Sequence, residues 1–350
     1  MPRHSRALVW LCLLAAPARA EVRTVPGDYP TIQAAIDAAG PGDEILIAAG
    51  TYAVAAPHIL PPGGISPRGE GEVVLTGSTD AYFEVVQVQN LDRFRFENLR
   101  FASNPVAIRT PVPSHPFHET RLEVEGCRFD ANGIGISARN AGQFRLTNSR
   151  FEGGSTSVYL LHAWMQAADC VFLGPTRAIQ TEDGLTERLV ERCLFVDCAS
   201  YYGAVSVDKD EYFVLANCTF DRCGTANGAA ISSRRGGTVV LEHCIVVNGP
   251  GLAFGCIGGL GNLFIVSCSD LWNNAGGNWH ACAYGGPEQN GNFSADPRFC
   301  DAAAGDYTLS AASPCAPANN PCGELIGAYP ASCAATAAAA TSFSAVKSLY

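Results

Sequence analysis

A three-residue phrase recurs along the middle of the chain: a small, thiol or aliphatic residue, then any residue, then an aromatic. It reads Leu99-Arg-Phe101, Cys127-Arg-Phe129, Ser149-Arg-Phe151, Cys170-Val-Phe172, Cys193-Leu-Phe195 and Cys218-Thr-Phe220. Cys244-Ile-Val246 follows and, more faintly, Cys268-Ser-Asp270. The third positions are 28, 22, 21, 23, 25, 26 and 24 residues apart. Each phrase ends an alternating run such as Leu122-Glu-Val124-Glu, Phe144-Arg-Leu146-Thr or Phe213-Val-Leu215-Ala. Alternation sends one side chain inward and the next outward, which is the period of a strand. Turn-type residues stand three past the aromatic position (Asn104, Asn132, Gly154, Cys198, Cys223, Gly249), and a second short apolar run follows, as in Ile134-Gly-Ile136 or Val158-Tyr-Leu160.

A unit this short cannot bury its own apolar face, but stacked on copies of itself it can, so the repeat predicts a β-solenoid. Leucine-rich repeats share the period but need a Leu-x-x-Leu-x-Leu frame, which is missing, and a propeller blade needs about 40 residues. A parallel β-helix remains. The Cys127, Cys170, Cys193, Cys218, Cys244 and Cys268 side chains are then expected to point inward with the aromatic ladder.

The N-terminus sets the compartment. A basic start (Arg3, Arg6), an apolar run from Ala7 to Ala16 and the closing Ala18-Arg-Ala20 have the form of a secretory signal peptide over residues 1–20. The run is shorter than the roughly 20 residues needed to span a bilayer, and no transmembrane segment is expected elsewhere. Cleavage before Glu21 leaves 14 of the 15 cysteines, an even number for an oxidising compartment, and 20 basic against 33 acidic residues. That acidity argues against nucleic acid as a partner. No paired Cys-x-x-Cys units occur and the seven His are scattered, so no metal centre is expected. Cys198 and Cys223, at equivalent turn positions on consecutive rungs, are expected to pair, their Cα atoms being about 4.8 Å apart. Two bridges are expected among Cys300, Cys315, Cys322 and Cys333.

Both ends carry a resemblance. The segment from Val25-Pro-Gly-Asp to Thr31-Ile-Gln-Ala-Ala-Ile36-Asp-Ala-Ala39-Gly-Pro-Gly-Asp43 and on to Gly50-Thr-Tyr52 resembles the entry of secreted right-handed parallel β-helix proteins of the pectin-lyase-like superfamily. Ile32, Ala35, Ile36 and Ala39 fall on one helical face, with Thr31 suited to the start and Gly40 to the end. In that superfamily such a helix covers the open end of the solenoid. Asp296-Pro-Arg-Phe299, Gly305-Asp-Tyr-Thr-Leu309, Ser313-Pro-Cys315 and Ile326-Gly-Ala-Tyr329 resemble the closing segment of exported bacterial β-helix proteins. The resemblance covers roughly residues 22–333 and implies an all-β, right-handed parallel β-helix with a short N-terminal capping helix, spanning 21–333. The low-complexity linker and tail over 334–350, with Phe343, Val346 and Leu349 at a three-residue spacing, are a candidate sorting or docking tag for secretion machinery. The superfamily's catalytic signatures do not carry over. Gln180-Thr-Glu-Asp183-Gly-Leu departs from the methylesterase motif, and the hydrolase Gly-His-Gly with Arg-x-Lys and the lyase calcium-and-arginine phrase are absent.

One outer edge draws chemistry together. Three residues beyond Ile136, Ile179, Val205 and Ile231 stand Arg139, Glu182, Asp208 and Arg234, and one further stand Asn140, Asp183, Lys209 and Arg235. His162 and Trp164 are placed on the rung between. With rungs about 4.8 Å apart these side chains form a polar stripe that fits a polysaccharide groove. Solvated turns with opposite charges on successive rungs would look the same. Glu182 and Asp208 are candidates for a hydrolytic carboxylate pair. With Asp183 and Asp210 they could hold Ca²⁺, the one cofactor the sequence offers. Lys209, Arg234 or Arg139 would serve a lyase acting on a uronate. His115 and His118, in a Pro-rich insertion, and Trp279 and His280, in a Gly/Asn-rich stretch, read as loops. The expectation is a secreted or cell-surface protein that binds an extracellular polysaccharide or cell-surface glycan. A lyase or glycoside hydrolase of a uronate-containing polymer, and a structural surface protein, are the alternatives.

Overall fold

The computed structural model describes residues 20–77, 80–85, 92–110, 120–183, 187–258 and 261–334. Residues 1–19 of the expected signal peptide, the His115/His118 insertion and the tail beyond Ala334 lie outside the described residues. Within them the chain winds into a parallel β-helix of three faces. The first carries strands such as Arg121–Glu125, Gln143–Thr147 and Tyr212–Ala216, and the second the short strands Arg128–Asp130, Arg150–Glu152 and Thr219–Asp221. These two faces share one 20-stranded sheet. The third face, with Ile134–Arg139, Thr156–Leu161 and Arg177–Glu182, belongs to a separate nine-stranded sheet. Each strand pairs in parallel with its counterpart one turn away, as Phe129 does with Phe101 and Phe151.

The repeated phenylalanine has an energetic reason. Phe101, Phe129, Phe151, Phe172, Phe195 and Phe220 stack ring on ring, with centroids 4.3–5.0 Å apart and planes within 9°. Rung spacing matches the stacking distance of aromatic rings, so a ring at the same register of every turn fills the core without a gap. The aromatic strand is separate from the alternating strand before it. A single left-handed residue turns the corner between them: Asn148, Asp169, Arg192, Asn217 and His243 all have φ near +50°. The thiols of Cys127, Cys170, Cys193, Cys218 and Cys244 follow that corner and are buried. Cys268 is an exception and corrects the repeat alignment by one position. Ile245 pairs with Asp270, so Ser269 is the counterpart of Cys244, while Cys268 sits on the corner with φ +46° and bonds Cys322.

The N-terminal helix spans Ile32–Ala38, with the Thr31 hydroxyl accepting a hydrogen bond from the Ala34 N–H at 3.1 Å. Ile32, Ala35 and Ile36 join the main core; the helix ends one residue early, on Ala39.

Two disulfide expectations need correction. Cys198 and Cys223 are unbonded and fully interior, each Sγ lying near a backbone carbonyl, at 3.7 Å from Val196 O and 3.5 Å from Phe195 O. Their turn positions point into the core, where small apolar thiols pack well. Of the four late cysteines, Cys300 bonds Cys333, but Cys322 bonds Cys268 and Cys315 is a buried thiol.

The closing segment folds back along the outside of the second face rather than capping an end. Leu309, Cys315 and Ile326 pack on Ile245 and Val247, and Tyr307 on Leu194 and Val196. Val171-Phe-Leu173, Leu194-Phe-Val196 and Ile245-Val-Val247 lack alternation because both sides of these strands are covered. Gly327 marks the closest approach. Its N–H donates to His243 O at 2.8 Å, its φ is +95°, and a Cβ there would stand 2.5 Å from Ile245 Cδ1. Gly327→Ala is therefore expected to cost about 1–3 kcal/mol by urea unfolding, through overpacking and left-handed strain. A loss below about 0.5 kcal/mol would show that the wrap yields freely.

Candidate functional site

The edge of the third face is where the sequence-derived stripe falls. Arg139, Leu161 and Glu182 are strict counterparts in the parallel register, and Arg234 pairs with Ile257. The following corner holds Asn140, His162, Asp183, Lys209 and Arg235, with φ values of +48°, +50°, +47°, +26° and +51°. Asn, Asp and His tolerate that region; Lys and Arg rarely adopt it. Here both long side chains are fixed by ion pairs. Lys209 Nζ lies 2.7 Å from Asp183 Oδ1, and Arg235 Nε donates to Asp208 Oδ1 at 2.7 Å.

Asp208 is the anchor. It is fully buried, takes a further bond from Arg234 Nη2 at 3.0 Å, and its own N–H donates to Thr181 Oγ1 at 3.0 Å. Burial alone would raise its pKa, but the Arg235 hydrogen bond and the two guanidinium charges outweigh it and hold the carboxyl below the ordinary carboxylate value. The ion pair with Asp183 raises the Lys209 pKa, and the Lys209 hydrogen bond lowers that of Asp183.

Side chains not singled out from the sequence complete the edge. Arg139 lies over the Tyr159 ring, 5.6 Å from its centroid, and Tyr159 Oη donates to Glu182 Oε2 at 2.7 Å. Burial, then that bond to Glu182, pushes the phenol up to about 12, so it remains a donor at neutral pH. Gln180 Nε2 donates to Glu182 Oε1 at 3.0 Å and Arg177 Nη1 to Gln180 Oε1 at 2.6 Å. The Tyr202 ring lies between Arg177 at 5.8 Å and Arg234 at 4.6 Å. The result is a continuous row of arginines and tyrosines in which Arg139 and Arg177 have no carboxylate partner among the described residues. Among the described residues the Nε atoms of Arg139, Arg177 and Arg234 are buried without an acceptor. Tyr159 and Gln180 could have been found by extending the stripe to the preceding outward position of each strand; Tyr202, on a loop of the neighbouring turn, had no periodic signal.

Four expectations change. Trp164 is not on this edge. Beyond the His162 corner the chain passes the buried Ala163 and enters the first face, so Trp164 lines a recess of about 250 Å³ with Arg121, Glu123, Gln143 and Arg145. Glu182 and Asp208 are held by different partners, and a buried carboxylate locked by two arginines is poorly placed to trade protons as a hydrolytic acid. A proton-abstracting amine needs a lowered pKa, the reverse of what Asp183 does to Lys209. Nor do Glu182, Asp183, Asp208 and Asp210 gather into a calcium cage. Among the described residues the one convergence of three metal-ligand side chains is Cys256, His280 and Cys282, on the adjoining late rungs.

A second recess, of about 510 Å³, opens where the closing segment crosses the second face, with Val171, Leu173 and Leu194 as an apolar floor and Arg150, Arg222 and Tyr307 among its walls. None of the stripe residues lines it.

A family model described as a right handed beta helix region matches residues 86–270. No curated protein matches the chain.

Proposed function

The chain belongs to the right-handed β-helix family, and from that premise we propose that it acts outside the cell by binding an acidic polysaccharide along the Arg139–Arg235 edge. The observation that carries this reading is the row Arg139, Tyr159, Arg177, Tyr202 and Arg234, linked by ring contacts and hydrogen bonds across successive turns, in which Arg139 and Arg177 lack carboxylate partners among the described residues. Guanidinium forks, held in place over the tyrosine rings, suit uronate carboxylates or sulfates. Three disulfides fit an oxidising compartment, and no helix among the described residues is long and apolar enough to cross a membrane. Binding is favoured over lyase or hydrolase chemistry because Asp208 and Lys209 are committed to ion pairs and Glu182 to hydrogen bonds from Tyr159 and Gln180.

Affinity electrophoresis in gels containing a polyuronate or a neutral glucan tests the reading. The protein is expected to be retarded by the polyuronate alone, and Arg139→Ala/Arg177→Ala to weaken that binding at least tenfold. Charge-assisted hydrogen bonds contribute about 1.5–3 kcal/mol each, and 1.4 kcal/mol is a factor of ten. Equal retardation by both polymers, or an unchanged double variant with an unchanged Tm, overturns the assignment. Ultraviolet absorbance from unsaturated ends, or new reducing ends, would establish a lyase or hydrolase instead.

A further inference from the structure

The strand Leu252–Ile257 lies on one of the last turns of the third face, and Cys256 near its end is bonded to Cys282 on the next turn, Cα to Cα 6.4 Å. A bond between turns is by itself a staple. This one has an imidazole beside it: His280 Nδ1 stands 3.2 Å from Cys282 Sγ. The three donor atoms, two sulfurs and a ring nitrogen, all lie within 4.8 Å of one another. The two cysteines are half-buried and His280 is exposed, so solvent and small reagents reach the site. The bonds Cys268–Cys322 and Cys300–Cys333 have no such neighbour among the described residues.

We propose that Cys256, His280 and Cys282 form a redox-gated site for a thiophilic d¹⁰ cation, Zn²⁺ or Cu⁺, closed while the disulfide is intact and opened by a small dithiol. In the opening step a dithiol thiolate attacks Cys256 Sγ, and the Cys282 thiolate leaves beside His280. The second reductant thiol then displaces Cys256. One cyclic disulfide is formed, one protein disulfide is broken, two electrons pass to the cysteines, and the reductant's two protons end on the two cysteine thiols. Metal binding releases those protons to water, makes two metal–sulfur bonds and one bond to neutral His280 Nδ1, and leaves a fourth position for water on Zn²⁺. Tetrahedral Zn–S bonds of about 2.3 Å place two sulfurs about 3.7 Å apart. Two reduced sulfurs in van der Waals contact reach nearly that separation, so opening needs only small side-chain rotations.

The donor set selects the ion. Two thiolates and an imidazole suit Zn²⁺ or Cu⁺ and disfavour Ca²⁺ and Mg²⁺, which take oxygen. The site is also selective within the chain. Burial pushes the Cys170, Cys193, Cys198 and Cys218 thiols well up, which keeps these interior sulfurs protonated and inert. Trp279 gives a local reporter. Its ring stands edge-on to Phe254, 6.2 Å between centroids, and its Nε1 is buried without an acceptor among the described residues.

The test uses the full chain, unreduced and after anaerobic treatment with a dithiol, the reductant then being removed. Zn²⁺ is titrated against a chromophoric chelator and Cu⁺ against a cuprous-specific one, with Trp fluorescence followed in parallel. The reduced chain is expected to bind one more ion than Cys256→Ser/Cys282→Ser, and the unreduced chain to lack that ion. His280→Ala, which keeps the disulfide and hence the fold, is expected to weaken the reduced site at least tenfold. Co²⁺ loading should show thiolate-to-metal charge-transfer absorption in the reduced wild type. Equal stoichiometry in reduced wild type and the double Ser variant, or unchanged affinity in His280→Ala, overturns the proposal. The chelator in the stronger competition decides between Zn²⁺ and Cu⁺.

Discussion

Replacing Arg188 with Met is expected to destabilise the protein by about 3–5 kcal/mol, the cost of leaving one partner of a buried ion pair behind. Arg188 occupies the inward position of the strand Glu187–Glu191, in register with Met165 and Phe213. Its side chain and that of Glu211 are both fully buried, with Nη1 2.6 Å from Oε2. Its Nε donates to Ala163 O at 3.0 Å, yet both Nη atoms lack well-aligned hydrogen bonds, so charge rather than bonding geometry holds the pair. Burial already raises the Glu211 pKa despite the guanidinium. Without Arg188 the carboxyl is expected to take up a proton and lose its strongest contact. The double variant Arg188→Met/Glu211→Gln should recover more than half of the loss in urea denaturation, because a neutral amide has far less to desolvate. A single variant within about 1 kcal/mol of wild type would show that water reaches the pair. Thr181 links this pair to the binding edge: its hydroxyl donates to Glu211 Oε2 and accepts from the Asp208 N–H. Loss of Glu211's charge is therefore expected to loosen Asp208 and the arginines on it.

The solenoid was readable because its energetics repeat: a phenylalanine is profitable at one register of a turn for the same reason on the next, so stacking writes a period into the chain. The ladder of Cys127, Cys170, Cys193, Cys218 and Cys244 was legible on the same ground, and Cys268 was misplaced where its turn substitutes Ser269 for the thiol. Local periodicity places a residue on a face but cannot say what comes to cover it. Outward Val171, Leu194 and Ile245 read as core strands only once the closing segment lies on them. The binding edge follows the same division. Arg139, Glu182, Asp208 and Arg234 fall at one register and were found by counting. Tyr202 reaches the edge from a loop, and Trp164 leaves it at a corner. Arg188 is a case where alternation and chemistry conflict: the pattern points it inward, and a partner 23 residues on in the sequence, Glu211, makes that tolerable.

The same covering by the closing segment sets a pH dependence. Asp270, outward on the second face, is fully buried beneath it. Cys315 Sγ donates to its Oδ2 at 3.3 Å and the Ala295 N–H to its Oδ1 at 3.0 Å. Burial, with Asp296 nearby, outweighs these bonds and raises the carboxyl from 3.8 to about 7. The folded chain thus holds this proton more tightly than the unfolded chain. Its stabilising contribution is full below about pH 4 and is lost as pH rises through about 7. At 1.36 kcal/mol per pKa unit the full swing is on the order of 4 kcal/mol, most of it between pH 4 and 7. Carboxylates with lowered values, Asp208 and Asp183 among them, act in the opposite sense near and below pH 4. The expected profile therefore rises out of acid and then declines toward pH 8. Asp270→Asn, nearly isosteric and without a proton to lose, should remove the decline and leave the variant at least as stable as wild type at pH 8. Urea unfolding at half-unit steps from pH 4.5 to 8 measures it. Parallel profiles for the two proteins would mean that Asp270 ionises at an ordinary pKa, with the closing segment lifting to let water in.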